Sequence, residues 1–202
     1  MKLWYSPASP FVRKVLIVAH ETGQTGELQI VEAATNAVSR NMELVRDNPS
    51  GKIPALVLDD GTVLFDSRVI CAFLDARHSG TKLAPQEGMA KFQDMMLEAL
   101  GDAIMDAAVL ARYEEALRPV QYQWAEWGAG QMAKVTSSLD QLEGALAGML
   151  GSRPTMGLIA VASALGYLDF RFESLGWRAS HPKLAAWFAE FSKRPSMAAS
   201  AP

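Results

Sequence analysis

The sequence predicts an α/β domain over residues 1–78, a connecting segment over 79–85 and an all-α helical-bundle domain over 86–202. Three observations predict it. Up to His78, short apolar runs of strand length alternate with helical stretches and turn signals. From Ser79 to Pro85 the chain is polar and turn-rich. Beyond Gln86 only long helical periodicity remains, with no strand signal.

Taken in order, Lys2-Leu3-Trp4-Tyr5 reads as a first strand and Pro10 to Glu21 as a helix that Thr22-Gly23 ends. Leu28-Gln29-Ile30-Val31 reads as a second strand, and residues 36–47 as a polar, helical or loosely wound stretch. Ala55–Leu58 and Thr62–Phe65 flank Asp59-Asp60-Gly61, a hairpin turn by composition. Ser67 caps or begins a helix that runs to Ala76. In the second half, residues 86–117 and 119–149 read as two long helices divided at Pro119. Pro154 opens a third that runs to Arg171, and Pro182 opens a last one that runs to Lys193. The tail from Ser196 to Pro202 consists mainly of small residues and is expected to be poorly ordered.

Composition removes several classes of function. With 19 Lys+Arg against 22 Asp+Glu, the net charge of -3 and the lack of a basic tract speak against nucleic acid as a partner. The longest apolar run, Leu158–Leu168, falls short of the roughly 20 residues of a membrane helix. The N-terminus lacks the apolar segment of a secretory signal. A single cysteine excludes an internal disulfide framework and suits a reducing, cytoplasmic compartment. His20, His78 and His181 are scattered and predict no metal site.

The most informative stretch is Ser9-Pro10-Phe11-Val12, between the first strand and the first helix. A thioredoxin-like protein carries Cys-x-x-Cys there, because a helix N-terminus stabilises a thiolate. Ser9 and Val12 stand where the two cysteines would be. A serine cannot cycle between thiol and disulfide, but it can donate a hydrogen bond to an external thiolate. The same residue also reads as a plain cap of the first helix.

Five motifs in order resemble the glutathione S-transferase family, in particular its serine-type bacterial members, over nearly the whole chain. They are Ser6–Lys14; Asn48-Pro49-Ser50-Gly51-Lys52-Ile53-Pro54-Ala55-Leu56; Leu64–Ile70 around Asp66-Ser67; Ala164–Arg171; and His181–Leu184. The resemblance implies a thioredoxin-like first domain and a homodimer. It also implies glutathione as co-substrate, with no tightly bound cofactor or metal, and conjugation to a small hydrophobic electrophile in detoxification chemistry.

On that resemblance Ser9 is the catalytic candidate. A donor favours the charged form of a titrating group. From a cysteine reference near 8.5 about 3% of a thiol is ionised at pH 7; a drop of about two units, or about 2.7 kcal/mol, ionises about three quarters. Ser6 is a competing hydroxyl, and Arg13 either tunes the local field or is a surface charge. Ile53-Pro54 is expected to be cis and to present the Ile53 backbone to the cysteinyl part of glutathione as an added strand would. Asp66 and Ser67 suit the γ-glutamyl ammonium and carboxylate, since a helix N-terminus attracts an anion. Lys52 is a candidate for a glutathione carboxylate and Arg40, or Asn41, for the glycyl one; in the family an acid from the partner subunit, equivalent to Asp102 or Asp106, often completes the site. Phe11, Met105 and Tyr113 are candidates for an apolar co-substrate pocket, in a pattern that ordinary core also shows. Cys71, within a helix, reads as a buried, inert thiol.

One departure from the family pattern concerns the core helix. Thr155 can cap it, but Leu158 stands where an acid would complete a capping box, so a single cap is expected there. Two other readings remain at this point: a glutathione-dependent peroxidase or thiol transferase, and a non-catalytic binding or assembly module on the same scaffold.

Overall fold

In the computed structural model, which describes residues 1–144 and 146–202, the elements follow in chain order. They are β1 (Lys2–Tyr5), α1 (Pro10–Glu21), β2 (Gln29–Glu32), α2 (Met42–Asp47), β3 (Ala55–Val57), β4 (Val63–Leu64), α3 (Ser67–Arg77), α4 (Gly88–Ala116), α5 (Ala125–Glu143), α6 (Met156–Arg171), α7 (Trp177–Ser180), α8 (Pro182–Phe191) and α9 (Pro195–Ala199). The chain divides into two units, one of residues 1–87 with 195–202 and the other of residues 88–194.

The first unit is built on a four-stranded sheet in the order β2-β1-β3-β4. β1 and β2 are parallel, joined through α1, while β3 runs antiparallel to both β1 and β4. Successive side chains on a strand face opposite ways. Leu3 and Leu56, paired in register and fully buried, therefore share one face, and Trp4, paired with Val31 and Ala55, lies on the other. On that second face Trp4, Ala33, Leu44 and Ala55 form one buried cluster, with Val31, Ile53 and Val57 packed against it. α1 and α3 pack together, and α3 also packs on β3. Gln24 fastens the far ends of α1 and α3, donating to the Leu74 carbonyl at 2.7 Å and accepting from Arg77 at 3.0 Å. The segment after α3 is pinned rather than loose. The buried carboxylate of Asp75 accepts the backbone N–H groups of Leu83 (2.8 Å) and Ala84 (3.2 Å), and Lys82 donates to the carbonyls of Asp75, Ala76 and His78.

The second unit is helical and organised around α6, which is buried without interruption from Met156 to Leu168. Two glycines allow α4 to pack so closely on it. A Cβ at Gly101 would come within 2.6 Å of the Ala160 carbonyl carbon, and one at Gly157 within 2.5 Å of the Asp94 carbonyl oxygen. The same contact resolves the departure at Leu158. Thr155 accepts the Leu158 N–H at 3.3 Å, and the acid comes from another helix: Asp94 of α4 accepts the Gly157 N–H at 3.1 Å. Leu158 is buried, so an acid at this position would face apolar packing. The start of α8 is capped likewise from α5. Glu143 accepts the N–H groups of Lys183 (3.0 Å) and Leu184 (2.8 Å), while Pro182 occupies the first turn, where no N–H is needed.

Two expectations differ from the structure. The helix expected over 119–149 begins instead as a 3-10 turn, Val120–Tyr122, and becomes α-helical at Ala125. Glu114 accepts the Trp124 N–H at 2.8 Å and fixes the break. The tail expected to be poorly ordered forms α9, with Ser196 and Met197 buried and the helix lying against α1.

Gly157→Ala is expected to lower stability by about 1–3 kcal/mol through overpacking against Asp94 and Leu97. Gly128→Ala, on α5 with nothing within 4 Å of its added methyl, is expected to be neutral or to stabilise by about 1 kcal/mol through helix propensity. Urea unfolding of the two variants beside the wild type checks both.

Candidate functional site

The strand register brings four chain segments to one end of the sheet. β1 ends at Tyr5 opposite the last residue of β2, Glu32; Trp4 lies opposite Ala55, the first residue of β3; and Leu64, the last of β4, lies opposite Leu56. The loop from Ser6 to Ser9, the segment after Glu32, the turn into β3 and the Phe65–Ser67 segment therefore converge. α1 and α3 both start at this end, so their unpaired N–H groups and positive dipole ends point toward the same region. It gathers the carboxyl ends of β1, β2 and β4, and in open α/β sheets the carboxyl ends of the strands are where ligands bind.

Ser9 is the cap of α1. Its Oγ accepts the Val12 N–H at 3.3 Å, its own N–H donates to the Ser6 carbonyl at 3.1 Å, and its carbonyl accepts the Arg13 N–H at 3.0 Å. Capping uses the hydroxyl as an acceptor only. The proton of the hydroxyl stays available for donation, so the cap and the thiolate donor are compatible roles of one residue.

The turn into β3 is fastened by Asn48, whose side chain is buried. Its amide donates to the Lys52 carbonyl at 2.7 Å, and its oxygen accepts from the Ser50 N–H at 3.1 Å and the Ser50 hydroxyl at 2.9 Å. Gly51 lies at φ 67°, with the Arg40 guanidinium 3.1 Å from where a Cβ would sit, so a side chain here would meet both backbone and steric cost. The peptide bond between Ile53 and Pro54 is cis, as expected, and Ile53 is half-buried. The bond between Phe65 and Asp66 is also cis.

At α3, of the two roles open to Ser67, it begins the helix, and Asp66 is the cap: it is exposed, and one carboxylate oxygen accepts the Arg68 N–H at 3.0 Å. Ser67 is the first helical residue, buried, and its side chain makes no hydrogen bond among the described residues.

The remaining candidates are placed as follows. Arg40 is exposed and donates to the Pro49 carbonyl at 2.8 Å, which holds it beside Gly51; Lys52 is exposed. Asn41 caps α2 through the Glu43 and Leu44 N–H groups. Phe11 on α1 and Tyr113 on α4 are half-buried, whereas Met105 on α4 is fully buried. Asp102 is buried on α4 and Asp106 is exposed on it. Cys71 is fully buried in α3. Arg13 is not a plain surface charge: it donates to the Met197 carbonyl at 3.3 Å.

Sequence reasoning missed Asn48 and Asp47 as individual residues. The Asn-Pro-Ser-Gly run signalled a turn held by its own asparagine side chain. Asp47, at the end of α2, accepts from Lys2 at 2.8 Å and from the Trp4 indole N–H at 2.6 Å, tying α2 to β1. The hydrogen bond from Lys2 holds its carboxyl below the ordinary 3.8; burial opposes this, and the Trp4 N–H adds to the lowering. No signal short of the fold itself pairs these residues. Among the described residues no group of three or more His, Cys, Asp or Glu is placed to hold a metal ion, and no helix is long and apolar enough to cross a membrane.

The first unit is thioredoxin-like and the second helical, the two-domain architecture of the transferases that handle glutathione. Two family models match the chain: glutathione S-transferase N-terminal domain over residues 8–77 and glutathione S-transferase C-terminal domain over residues 107–190. A protein of Escherichia coli strain K12 named "Uncharacterized GST-like protein YibF" is 36% identical, over 100% of this chain and 98% of that protein. Maize glutathione S-transferase 3 is 30% identical, over 97% of this chain and 90% of that protein. A crystal structure of a glutathione transferase family member from Pseudomonas fluorescens Pf-5, with bound glutathione, superposes with a TM-score of 0.98 at 48% identity, covering 100% of this chain and 98% of that one. The chain belongs to the glutathione S-transferase family.

The lowered pKa of Asp47 gives a pH prediction. A carboxyl whose folded pKa lies below its unfolded value stabilises fully above the unfolded value and loses that contribution as pH falls through the folded one. Asp47→Asn is therefore expected to destabilise at pH 7 and to cost progressively less below about pH 3.8. Urea midpoints of both proteins at pH 7, 4 and 2.5 check the convergence.

Proposed function

We propose that the protein is a glutathione transferase that binds glutathione at the sheet end described above and conjugates it to a small hydrophobic electrophile. The observation that carries the reading is the convergence of Ser9, Ile53-Pro54 and Asp66-Ser67 through the registers of β1 with β3 and β3 with β4. In this reading the Ile53 backbone pairs with the cysteinyl part of glutathione. The Ser67 hydroxyl and the α3 N-terminus receive the γ-glutamyl carboxylate, and Asp66 faces the adjacent ammonium. Arg40 and Lys52 meet the glycyl carboxylate.

Ser9 donates its hydroxyl proton to the sulfur, favouring the thiolate, which is the attacking form. The electrophile gains a carbon–sulfur bond as its leaving group departs with the bonding pair, or, for an addition, as the electron pair moves onto the acceptor and is protonated. Glutathione is a consumed co-substrate and no resident cofactor takes part. Phe11 and Tyr113 retain the partial exposure that contact with an apolar electrophile needs, and Met105 does not. Relatives named as glutathione S-transferases and neighbours with bound glutathione support the reading. A homodimer working in the cytoplasm, on reactive hydrophobic compounds, fits the same family pattern.

Ser9→Ala is expected to leave glutathione affinity within about threefold and to lower the conjugation rate at least about tenfold, or about 1.4 kcal/mol. Ser67→Ala is expected to weaken glutathione binding about tenfold by removing a hydrogen bond to a carboxylate. Calorimetric titration with glutathione and turnover of a chromogenic electrophile separate the two effects. Unchanged turnover in Ser9→Ala removes Ser9 from the mechanism.

A further inference from the structure

We propose that α9 is a positioning strap for Ser9: the C-terminal eight residues hold the loop that presents the catalytic hydroxyl. The chain leaves the helical unit at Arg194 and rejoins the first unit from Pro195 onward. There α9 lies along α1 and is attached to both of its ends. At the far end the buried Ser196 donates its hydroxyl proton to the Glu21 carboxylate. At the near end Arg13 donates to the Met197 carbonyl at 3.3 Å. Met197 and Ser200 are buried, and Ser200 donates back to the Ser196 carbonyl at 2.8 Å, closing the last turn of the strap.

The attachment at Arg13 leads directly to the catalytic candidate. The Arg13 N–H donates to the Ser9 carbonyl at 3.0 Å, and the Ser9 N–H donates to the Ser6 carbonyl at 3.1 Å. Met197, Arg13, Ser9 and Ser6 thus form one continuous chain of contacts. Beyond it, Ala199, Ser200 and Ala201 line the same small cleft as Tyr5, Ser6 and Pro7, so the tail lies beside the loop.

A hydroxyl shifts a thiol's pKa only if its donor direction is maintained, and a loop free on its outer side would spend its time in several directions. The strap supplies that outer side. It touches neither the turn into β3 nor the start of α3 through any of these contacts, so its effect falls on the thiolate and not on the groups proposed to bind glutathione. Arg13 is on this account a positioning residue.

The role of α9 rests on the reading of Ser9 as the thiolate donor, and the test keeps the two apart. In the chain of residues 1–202, Ser196→Ala/Met197→Ala removes the hydroxyl latch and the buried side chain of α9. Amide hydrogen exchange at Ser9, Phe11, Val12 and Arg13 is expected to accelerate at least about tenfold, with the β1–β3 ladder at Leu3 and Leu56 unchanged. Glutathione affinity is expected to stay within about threefold while kcat falls and the thiol pKa of bound glutathione, read by ultraviolet titration, rises by about one unit. Unchanged exchange over 9–13, or acceleration shared equally by Leu3 and Leu56, overturns the proposal. If that protein does not fold, Ser196→Ala alone, which keeps the buried Met197 side chain, is read by the same exchange measurement and decided by the same outcomes. If the wild type neither binds glutathione nor turns it over, the reading of Ser9 fails, and exchange alone decides whether α9 holds the loop.

Discussion

Antiparallel pairing of β3 with β1 is the constraint on which the rest of the first unit depends. Because Trp4 lies opposite Ala55, the chain leaving β1 and the chain entering β3 meet at one end of the sheet. Because side chains alternate, a slip of one residue would exchange the faces of Leu3 and Trp4 and place the indole among α1 and α3. Trp4 prevents that slip in two ways. It is buried in the cluster with Leu44 and Ala55, and its indole N–H is satisfied by Asp47, whose other partner is Lys2 on the same strand. A buried indole needs such an acceptor, so the register that packs best is also the one that leaves no polar atom stranded.

Given that register, the turn before Ile53 still has to be shaped, and one asparagine does it. Asn48 uses both the donor and the acceptor of its amide inside the Asn48–Lys52 turn. Satisfying that amide internally allows it to be buried without loss, and burial in turn fixes the turn against the sheet. Gly51 completes the shape with its positive φ and leaves room for the Arg40 guanidinium. The same packing that closes the turn holds a cation beside Lys52. Shaping the backbone and gathering positive charge are thus consequences of one arrangement.

What the sequence made legible follows from the range of the interactions. Ser9 before Pro10, Asp59-Asp60-Gly61 between two strands, and Pro182 at a helix start are local signals, and each stands where expected. Ile53-Pro54 and the buried run of α6 were equally readable, one through its surrounding motif and the other through its unbroken apolar composition. The misreadings involve partners far away in the chain. Leu158 looked like a missing acid because the acid, Asp94, is on another helix. The stretch after Pro119 looked helical because nothing local announces that Glu114 takes the Trp124 N–H. The tail looked loose because small residues carry no periodic signal, and its order comes from Glu21 and Arg13 on α1. At Ser67 two local roles were open, cap or first residue of the helix, and the structure has the second, with Asp66 accepting the Arg68 N–H as the cap.

On the proposed reading, Ser9 illustrates why a scaffold of this kind would suit an external thiol. With cysteines at both ends of the turn, the helix N-terminus would stabilise a thiolate belonging to the protein. With serine in the first position, the oxygen is spent on the Val12 N–H while the proton remains to be given away. Accepting from Val12 also withdraws electron density from the oxygen, which makes its proton a better donor, since hydrogen bonds in series strengthen one another. The residue that starts the helix is thus improved as a donor by the helix it starts. Replacing Ser9 by alanine would remove the cap and the proposed donor together, whereas the proposed role of α9 is to act on the direction of the donor with the cap in place. The difference between those two perturbations separates what the hydroxyl contributes as chemistry from what the surrounding chain contributes by holding it still.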